Sequence, residues 1–518
     1  ADWSARLILS DLAELSENAT TNSLTTKIIF EGDKNPQSQF NYRDLSQPVY
    51  DIDEDTYDFL VNACPKMMEK THGEAGSLLP YFPGYKYEYG KSTYKDVEVG
   101  EGGRVYAEPG MYGNVALLDI ASMHPHSTIA ECLFGVKYTT AYRDIVEGRV
   151  SIKHEAWEEV NNMLDGRLTK HIQKVKDGEM TSKALANALK TAINSVYGLT
   201  AAGFDNPFRD PRNKDNIVAK RGALFMVDLQ EEVEKRGFKV AHIKTDSIKI
   251  PDATPDIIQF VMEFGERYGY TFEHEATYDR MCLVNDAVYI AKYKDLDECM
   301  NMYGYVPDDN KKHVKDPWTA TGKQFAVPYV FKTLFSKEKV EFDDLCETFS
   351  VSKGDLYLDI NETLPDVTSF EKELSKLETK YKKGQLSDTT YEPEYTRLKE
   401  EIDKGHNLIF VGRVGQFTPI LPGNNAGTLY RVNDGKNYAA SGSTGFRWLE
   451  SEKVKELHKE DCIDYGFYNK LVDDAVDVIS QYCDFEWFVS DEPYISPEPT
   501  PGFMHIPDWA PEPEIPFI

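Results

Sequence analysis

The sequence predicts an α+β protein of more than one domain, and three stretches carry that prediction. Val115 to Ile120 (VALLDI) is a strongly apolar run with an acid near its C-terminal end, the pattern of a buried strand. Lys239 to Ile250 (KVAHIKTDSIKI) reads as strand, tight turn, strand. Between them lie two amphipathic helical stretches around an Asp177-Gly178 turn signal, which together predict an antiparallel helical hairpin.

In chain order, residues 1–30 predict a helix from Leu7 to Leu15 and then a polar Asn/Thr turn. Residues 31–60 read as loop, with an acidic cluster at Asp51, Asp53, Glu54 and Asp55. From about 85 to 115, Gly and Tyr recur between short strand-like runs, which lead into VALLDI. The first hairpin helix runs from about Glu155 to Lys176. The second is capped by Thr181 or Ser182 and runs to about Val196. Residues 216–235 predict a further amphipathic helix, and 283–293 a strand. Beyond about 315 the character changes: 369–404 is charged and helical with a break near Gly384-Gln385, 407–447 is Gly-rich and β-like, and a helical segment follows to about 483. The last residues, rich in Pro and acid, predict an extended tail.

Composition excludes several classes. The chain has 518 residues, 41% of them apolar and 12% aromatic, which fits an ordered globular protein. No run of about 18 apolar residues occurs, so no membrane span is expected. The start, Ala1-Asp2-Trp3-Ser4, does not read as a signal peptide, and without an initiator Met it suggests a processed chain or a piece of a longer one. Seven widely spaced cysteines without a C-x-x-C pair predict reduced thiols, a cytoplasmic setting and no zinc site. The net charge of -29 argues against nucleic-acid binding, since phosphate contacts need Lys and Arg. Its distribution offsets this: residues 161–225 hold eleven Lys/Arg against six Asp/Glu, whereas 484–518 holds eight acids and no base.

Three motifs carry chemistry. In Asp119-Ile120-Ala121-Ser122-Met123-His124-Pro125, an acid ends a buried strand and a turn of small residues follows. The carboxylate can hold a divalent ion, and the N–H groups after it can cradle a triphosphate. Taken alone, an Asp that merely caps the next segment explains it better. In Lys190-Thr191-Ala192-Ile193-Asn194-Ser195-Val196-Tyr197-Gly198, helical spacing puts Lys190, Asn194 and Tyr197 on one face, with Lys183 a heptad earlier. A Lys for phosphates, an Asn for hydrogen bonds and an aromatic for stacking make a nucleotide face. The plainer reading is a solvated Lys on an amphipathic helix with Tyr197 in the core. Lys244-Thr245-Asp246-Ser247 places one carboxylate at a hairpin tip, where turn chemistry is the simpler account.

In this order and spacing the three motifs resemble those of family B DNA polymerases of the bacteriophage type. That family's D-x-x-S-L-Y-P-S appears as DIASMHPH, its K-x-x-x-N-S-x-Y-G is matched in full at 190–198, and its Y-G-D-T-D-S appears as HIKTDS. The resemblance covers roughly residues 90–300; the remainder corresponds by position only.

The resemblance implies a right-hand polymerase with an antiparallel-sheet palm, helical-hairpin fingers and a mostly helical thumb. It divides the chain into an N-terminal segment (1–88), palm (89–152), fingers (153–200), palm (201–315), thumb (316–483) and tail (484–518). It implies template-directed addition of dNTPs to a primer 3′-hydroxyl. Asp119, Asp246 and the backbone of Ile120 would hold two Mg²⁺ ions, for which Mn²⁺ can substitute. Ser122, Met123, His124, Lys190, Asn194 and Tyr197 would meet the nucleotide. The family also places basic residues on the partner finger helix, and the hairpin geometry selects Arg167 and then Lys170. Lys244, Tyr289 and Lys292 would contact DNA.

The sequence departs from the family at several points. His124 stands where the family has the Tyr that rejects a ribose 2′-hydroxyl, leaving open a ribonucleotide-tolerant enzyme. Lys244 replaces a first Asp, which leaves two acids and a cation. Two readings therefore stand: an active two-ion site, or a catalytically weakened homologue that acts as a DNA-binding scaffold subunit. Ala287-Val288-Tyr289 aligns with a K-x-Y element without its Lys, and Lys292 could take that role. Asp51-Ile52-Asp53-Glu54 superficially matches the D-x-E of a 3′–5′ exonuclease, but too few residues separate it from residue 89 for that domain. The exonuclease is then missing, on another chain, or outside this sequence. The terminal Glu514-Ile515-Pro516-Phe517-Ile518 could dock on a processivity factor or fold back on its own domain.

Overall fold

The computed structural model describes residues 3–50, 52–69, 79–295, 317–361 and 367–497. Two compact units divide the chain, one of Ala1–Thr319 with Asp491–Ile518 and one of Ala320–Ser490. Helices of eight or more residues are numbered below.

The first unit opens with α1 (Trp3–Ala13) and α2 (Thr21–Phe30). The second helix occupies ground expected to be a polar turn, because Thr20 caps it by accepting the Ser23 N–H at 3.2 Å. The acidic cluster is likewise a helix start rather than a loop. Asp53 accepts the Thr56 N–H at 2.8 Å, and Glu54 and Asp55 sit in the first turn of α3 (Glu54–Ala63), where the helix dipole favours them. Asp51 lies outside the described residues.

A small sheet of β1 (Lys86–Glu88), β2 (Lys91–Tyr94) and β3 (Val97–Val99) precedes the central one. The central sheet has seven strands in the order β10-β9-β8-β5-β7-β6-β4. These are β4 (Val105–Ala107), β5 (Gly110–Ile120), β6 (His242–Lys244), β7 (Ser247–Ile250), β8 (Phe272–Asn285), β9 (Val288–Tyr293) and β10 (Trp318–Thr321). The pairs β4–β6, β6–β7, β7–β5, β5–β8 and β8–β9 are antiparallel. The strand expected at 283–293 is two strands, joined by a turn in which Asn285 accepts the Ala287 N–H.

Strand periodicity decides which face of this sheet does chemistry. Leu118, Ile120, Ile243, Ile248, Ile250 and Phe272 belong to the main core. Successive side chains alternate, so Leu117, Asp119, His242, Lys244, Ser247 and Lys249 take the opposite face. The apolar face is closed by α8 (Ile217–Lys235) and α9 (Pro255–Glu266): the Phe225 ring of α8 lies 6.0 Å from Phe272 and 5.7 Å from Phe264 of α9. Beneath this core Glu131 and Arg221, both buried, form a triad with the partly exposed Arg43, Glu131 receiving Arg221 Nε at 2.8 Å and Arg43 Nε at 2.9 Å.

The region expected to be a simple helical hairpin is built differently. Its helices are α4 (Met123–Ala130), α5 (Gly135–Lys153), α6 (Thr169–Lys176) and α7 (Ser182–Thr200). The single helix expected over 155–176 is broken, because Leu164 and Asp165 take left-handed backbone angles (φ 52° and 54°). Asp144 fixes the break by accepting the Leu164 N–H at 2.9 Å. Helix α7 packs chiefly on α5, α1 and α2.

The described end of the chain, 491–497, packs on the first unit. Tyr494 lies against Gly113, where a Cβ would overlap its ring, and its hydroxyl donates to Asp252 at 3.0 Å. Arg280 donates to the Glu492 carbonyl. The terminal residues 514–518 lie outside the described residues.

The second unit is mixed rather than simply helical. It holds β11 (Glu347–Ser350), β14 (Val414–Pro419) and β17 (Trp448–Glu450) in one sheet. A second sheet comprises β13 (Leu408–Gly412), β12 (Asp355–Asp359), β15 (Thr428–Asn433) and β16 (Lys436–Ala439). The break predicted near Gly384 separates α10 (Thr368–Lys382) from α11 (Asp388–Asp403), and α12 (Tyr465–Ser480) follows.

Candidate active site

Asp119 ends the central strand β5 and faces Ser247 across the ladder to β7. One residue on, the Ile120 N–H donates to the carbonyl of Asp246 at 2.8 Å, which draws the β6–β7 turn against the end of β5. The turn is tight: Thr245 is left-handed (φ 54°), and the Asp246 N–H donates to the Lys244 carbonyl at 2.7 Å. Gly103 lets the β4 side approach, since a Cβ there would stand 3.0 Å from Thr245 Cγ2. Asp119 and Asp246 are therefore brought together from positions 127 residues apart in the sequence (246 − 119).

Burial and like charge weigh on this pair. The Asp119 carboxyl is pushed up to about 8, first by burial and then by Asp246, Glu275 and Glu273, with Lys249 opposing. Burial also raises Asp246. Glu273 faces Asp119 across the β5–β8 ladder, and a bulge skips Glu275 in the register between the partners of Leu117 and Leu118. Such a collection of acids suits a divalent cation, whose charge would relieve it. Among the described residues no three His, Cys, Asp or Glu side chains converge into a ready-made cage. An ion of the Mg²⁺ kind takes one or two carboxylates and fills its remaining positions with water and substrate oxygens. Asp119, Asp246 and the Ile120 carbonyl could hold such an ion.

The turn after Asp119 can receive an anion. Ser122 is left-handed (φ 52°) and does not cap α4 with its side chain. The N–H groups of the first turn, at Met123 and His124, are those a helix cannot satisfy internally. Met123 contributes backbone only, because its side chain is buried against Gly222. His124 stacks on Tyr197 of α7 with ring centroids 4.2 Å apart and planes at 4°. Burial lowers the His124 pKa, and its Nδ1 is buried without a hydrogen-bond partner. Tyr197 in turn receives Asn216 Nδ2 at 3.3 Å.

The remaining predicted residues divide into two groups. Lys183, Lys190 and Asn194 are all exposed on α7, forming one stripe that leads to Tyr197. At 1.5 Å per residue, Asn194 and Lys190 lie roughly 4.5 and 10 Å along the helix from the stack. Arg167 and Lys170, expected opposite Lys190, are engaged elsewhere. Arg167 donates to the Ile28 carbonyl at 3.2 Å and pairs with Glu31 at 3.2 Å, and Lys170 pairs with Asp11 at 3.2 Å. The break at Leu164 turns this segment toward α1 and α2. Lys244 is exposed and shares the Asp119 face through its pairing with Ser247. Tyr289 faces Lys249, whose Nζ lies 4.7 Å from its ring centroid. Lys292 is drawn away to Asp491 at 3.4 Å and the Trp318 ring at 5.5 Å.

Four residues of this face escaped the motif reading: Glu273, Glu275, His242 and Lys249. The alternation of HIKTDSIKI is signal enough for the last two, since each alternates with the buried isoleucines of its own strand. Glu273 and Glu275 needed the β5–β8 pairing, which no local pattern announces.

No family model and no curated protein sequence matches the chain. Among solved structures it is similar to the family B DNA polymerase from the hyperthermophilic archaeon Pyrobaculum calidifontis, at 13% identity and a TM-score of 0.40, covering 93% of this chain. The chain spans about half of that polymerase (54%). Among the described residues no helix is long and apolar enough to cross a membrane.

Proposed function

We propose that the chain is a template-directed DNA polymerase of the bacteriophage kind, adding dNTPs to a primer 3′-hydroxyl with two divalent ions held by Asp119 and Asp246. The observation that carries the reading is the convergence of these two aspartates where the β6–β7 turn meets the end of a buried strand, with Glu273 and Glu275 adding to the acidic charge on Asp119. The ordered motifs around 119, 190–198 and 246 support it. The ions, when bound, lower the pKa of the attacking hydroxyl and neutralise charge on the triphosphate and the leaving pyrophosphate. The chain's own groups do the rest. Asp119, near the end of β5, and Asp246, in the β6–β7 turn, would hold the ions. The Met123 and His124 N–H groups donate to triphosphate oxygens. Lys190 and Asn194 grip the same phosphates from α7. The His124–Tyr197 stack forms a flat wall for the nucleotide's sugar and base. Lys244, exposed beside Asp246, meets a primer phosphate, and Tyr289 lines the same face.

Primer extension with Mg²⁺ tests the reading. Asp119→Asn and Asp246→Asn should each lower extension by about a thousandfold or more, the loss expected when charge stabilisation at a reacting centre is removed. Extension that survives both changes sinks the assignment.

A second reading is favoured by Lys244 and by the net charge of -29: a scaffold homologue that binds DNA without synthesis. Salt-dependent primer–template binding with no incorporation under Mg²⁺ or Mn²⁺ would select it. A separate exonuclease chain and a processivity factor taken up by 514–518 complete the polymerase reading. They predict that the purified chain alone lacks proofreading and gains processivity only with partners.

A further inference from the structure

Lys249 is an ammonium in an unusual place. It sits in β7 with 4% of its surface exposed. Its Nζ lies 2.9 Å from His242 Nδ1, and His242 Nε2 lies 2.9 Å from the Asp286 carbonyl. A carbonyl only accepts, so Nε2 carries the ring proton and Nδ1 must accept from Lys249. The imidazole is thus a neutral acceptor, and burial, aided by Lys249, pushes it down to about 4. The Tyr289 ring offers its face to the same ammonium at 4.7 Å.

His242 and Tyr289 do not neutralise the charge. Among the described residues His242 is the one hydrogen-bond partner of Lys249, and no carboxylate lies within ion-pair distance of it. A buried cation so lightly held costs several kcal/mol, and a methionine would fill the same volume without that penalty. The strand register supplies a reason for the charge. Asp119 faces Ser247, and Lys249 is the next residue on that face, a diagonal neighbour at roughly 7 Å. Burial pushes the Lys249 ammonium down to about 8, and the fields of Asp119 and Glu275 oppose that loss of charge while Lys244 adds to it.

We propose that Lys249 is a built-in counter-cation of the Asp119 carboxylate cluster: a positioning residue, fixed by His242 and Tyr289, against which divalent ions compete. The inference rests on the two-ion reading and extends it. Between substrates the ammonium keeps the acids from repelling one another apart. It also weakens ion binding to the free protein, so that full occupancy awaits the triphosphate, which brings its own negative charge.

Calorimetric titration of Mn²⁺ into the metal-free chain, without DNA or nucleotide, reads this directly. Lys249→Met should bind Mn²⁺ about tenfold more tightly than the parent, the order expected when one charge is removed near a divalent ion in a partly solvated cleft. Lys249→Gln, which keeps a donor for His242, should tighten it similarly and serves as the readout should the methionine variant melt early. Asp119→Asn should abolish the heat. Unchanged or weaker binding in both Lys249 variants, with Asp119→Asn still silent, overturns the counter-cation and leaves the two-ion reading standing. Mn²⁺ heats that ignore Asp119→Asn overturn both.

Discussion

His124 lies flat on Tyr197, with ring centroids 4.2 Å apart and planes 4° from parallel, and this stack joins the turn after Asp119 to the helix that carries Lys190 and Asn194. The two rings come from sequence positions that separately suggest a sugar contact and a base contact. Stacked, they act as one surface. His124 is held neutral by burial, so the stack meets a nucleotide by shape more than by charge.

Removing one member of that stack should change sugar selection. His124→Ala should raise incorporation of rNTPs relative to dNTPs by about tenfold, in the range that a missing packing contact is worth. Single-nucleotide extension with each dNTP and its rNTP measures the ratio. An unchanged ratio would mean that His124 is only a packing residue.

Lys190 stands exposed two turns before Tyr197, on the stripe that leads to the stack. Lys190→Ala should raise the KM for dNTP by about 10- to 100-fold, the loss of one charge-assisted contact to phosphate. Primer–template affinity should stay within about twofold, because this contact belongs to the nucleotide. Steady-state extension together with a filter-binding isotherm separates the two effects.

The crowding of acids at Asp119 predicts a pH-dependent instability of the metal-free protein. Its carboxyl sits at about 8 in the fold, against about 3.9 in an unfolded chain. Ionising it therefore costs more in the folded state. The destabilisation is absent below about pH 4, grows as pH rises and levels off above about pH 8. Asp119→Asn removes it, so the variant should gain several kcal/mol over the parent at pH 8 and almost nothing at pH 4. Calorimetric melting across that range, in chelator, tests the sign; a gain that does not vary with pH contradicts it.

The Arg43–Glu131–Arg221 triad predicts a purely structural sensitivity. Glu131 is buried, and both arginines hold its carboxyl below the ordinary range despite that burial. Glu131→Gln leaves the buried Arg221 guanidinium, and the partly exposed Arg43, without their counter-charge and should cost about 3–5 kcal/mol. Denaturant unfolding followed by far-ultraviolet circular dichroism gives the number, and a loss under about 1 kcal/mol would show that the triad is relaxed by water.

Local pattern settled much of this protein by itself. The apolar run ending in Asp119, the KTDS turn and the period of 190–198 were legible because a strand's alternation and a helix's repeat are written in neighbouring residues. The exposed stripe of Lys183, Lys190 and Asn194 follows from that repeat alone. The broken helix before Arg167 was not legible, because Leu164 turns on a hydrogen bond to Asp144, twenty residues away. Capping by Thr20 and Asp53 is local, but caps, turns and loops use the same residue types, so pattern alone does not separate them. Only the tertiary structure decided that β8 lies beside β5, bringing Glu273 and Glu275 to Asp119, and that Lys249 stands two residues from the partner of Asp119 on the same face. The motifs name two carboxylates, but the charge around them is set by strand pairing, which depends on residues more than a hundred positions apart.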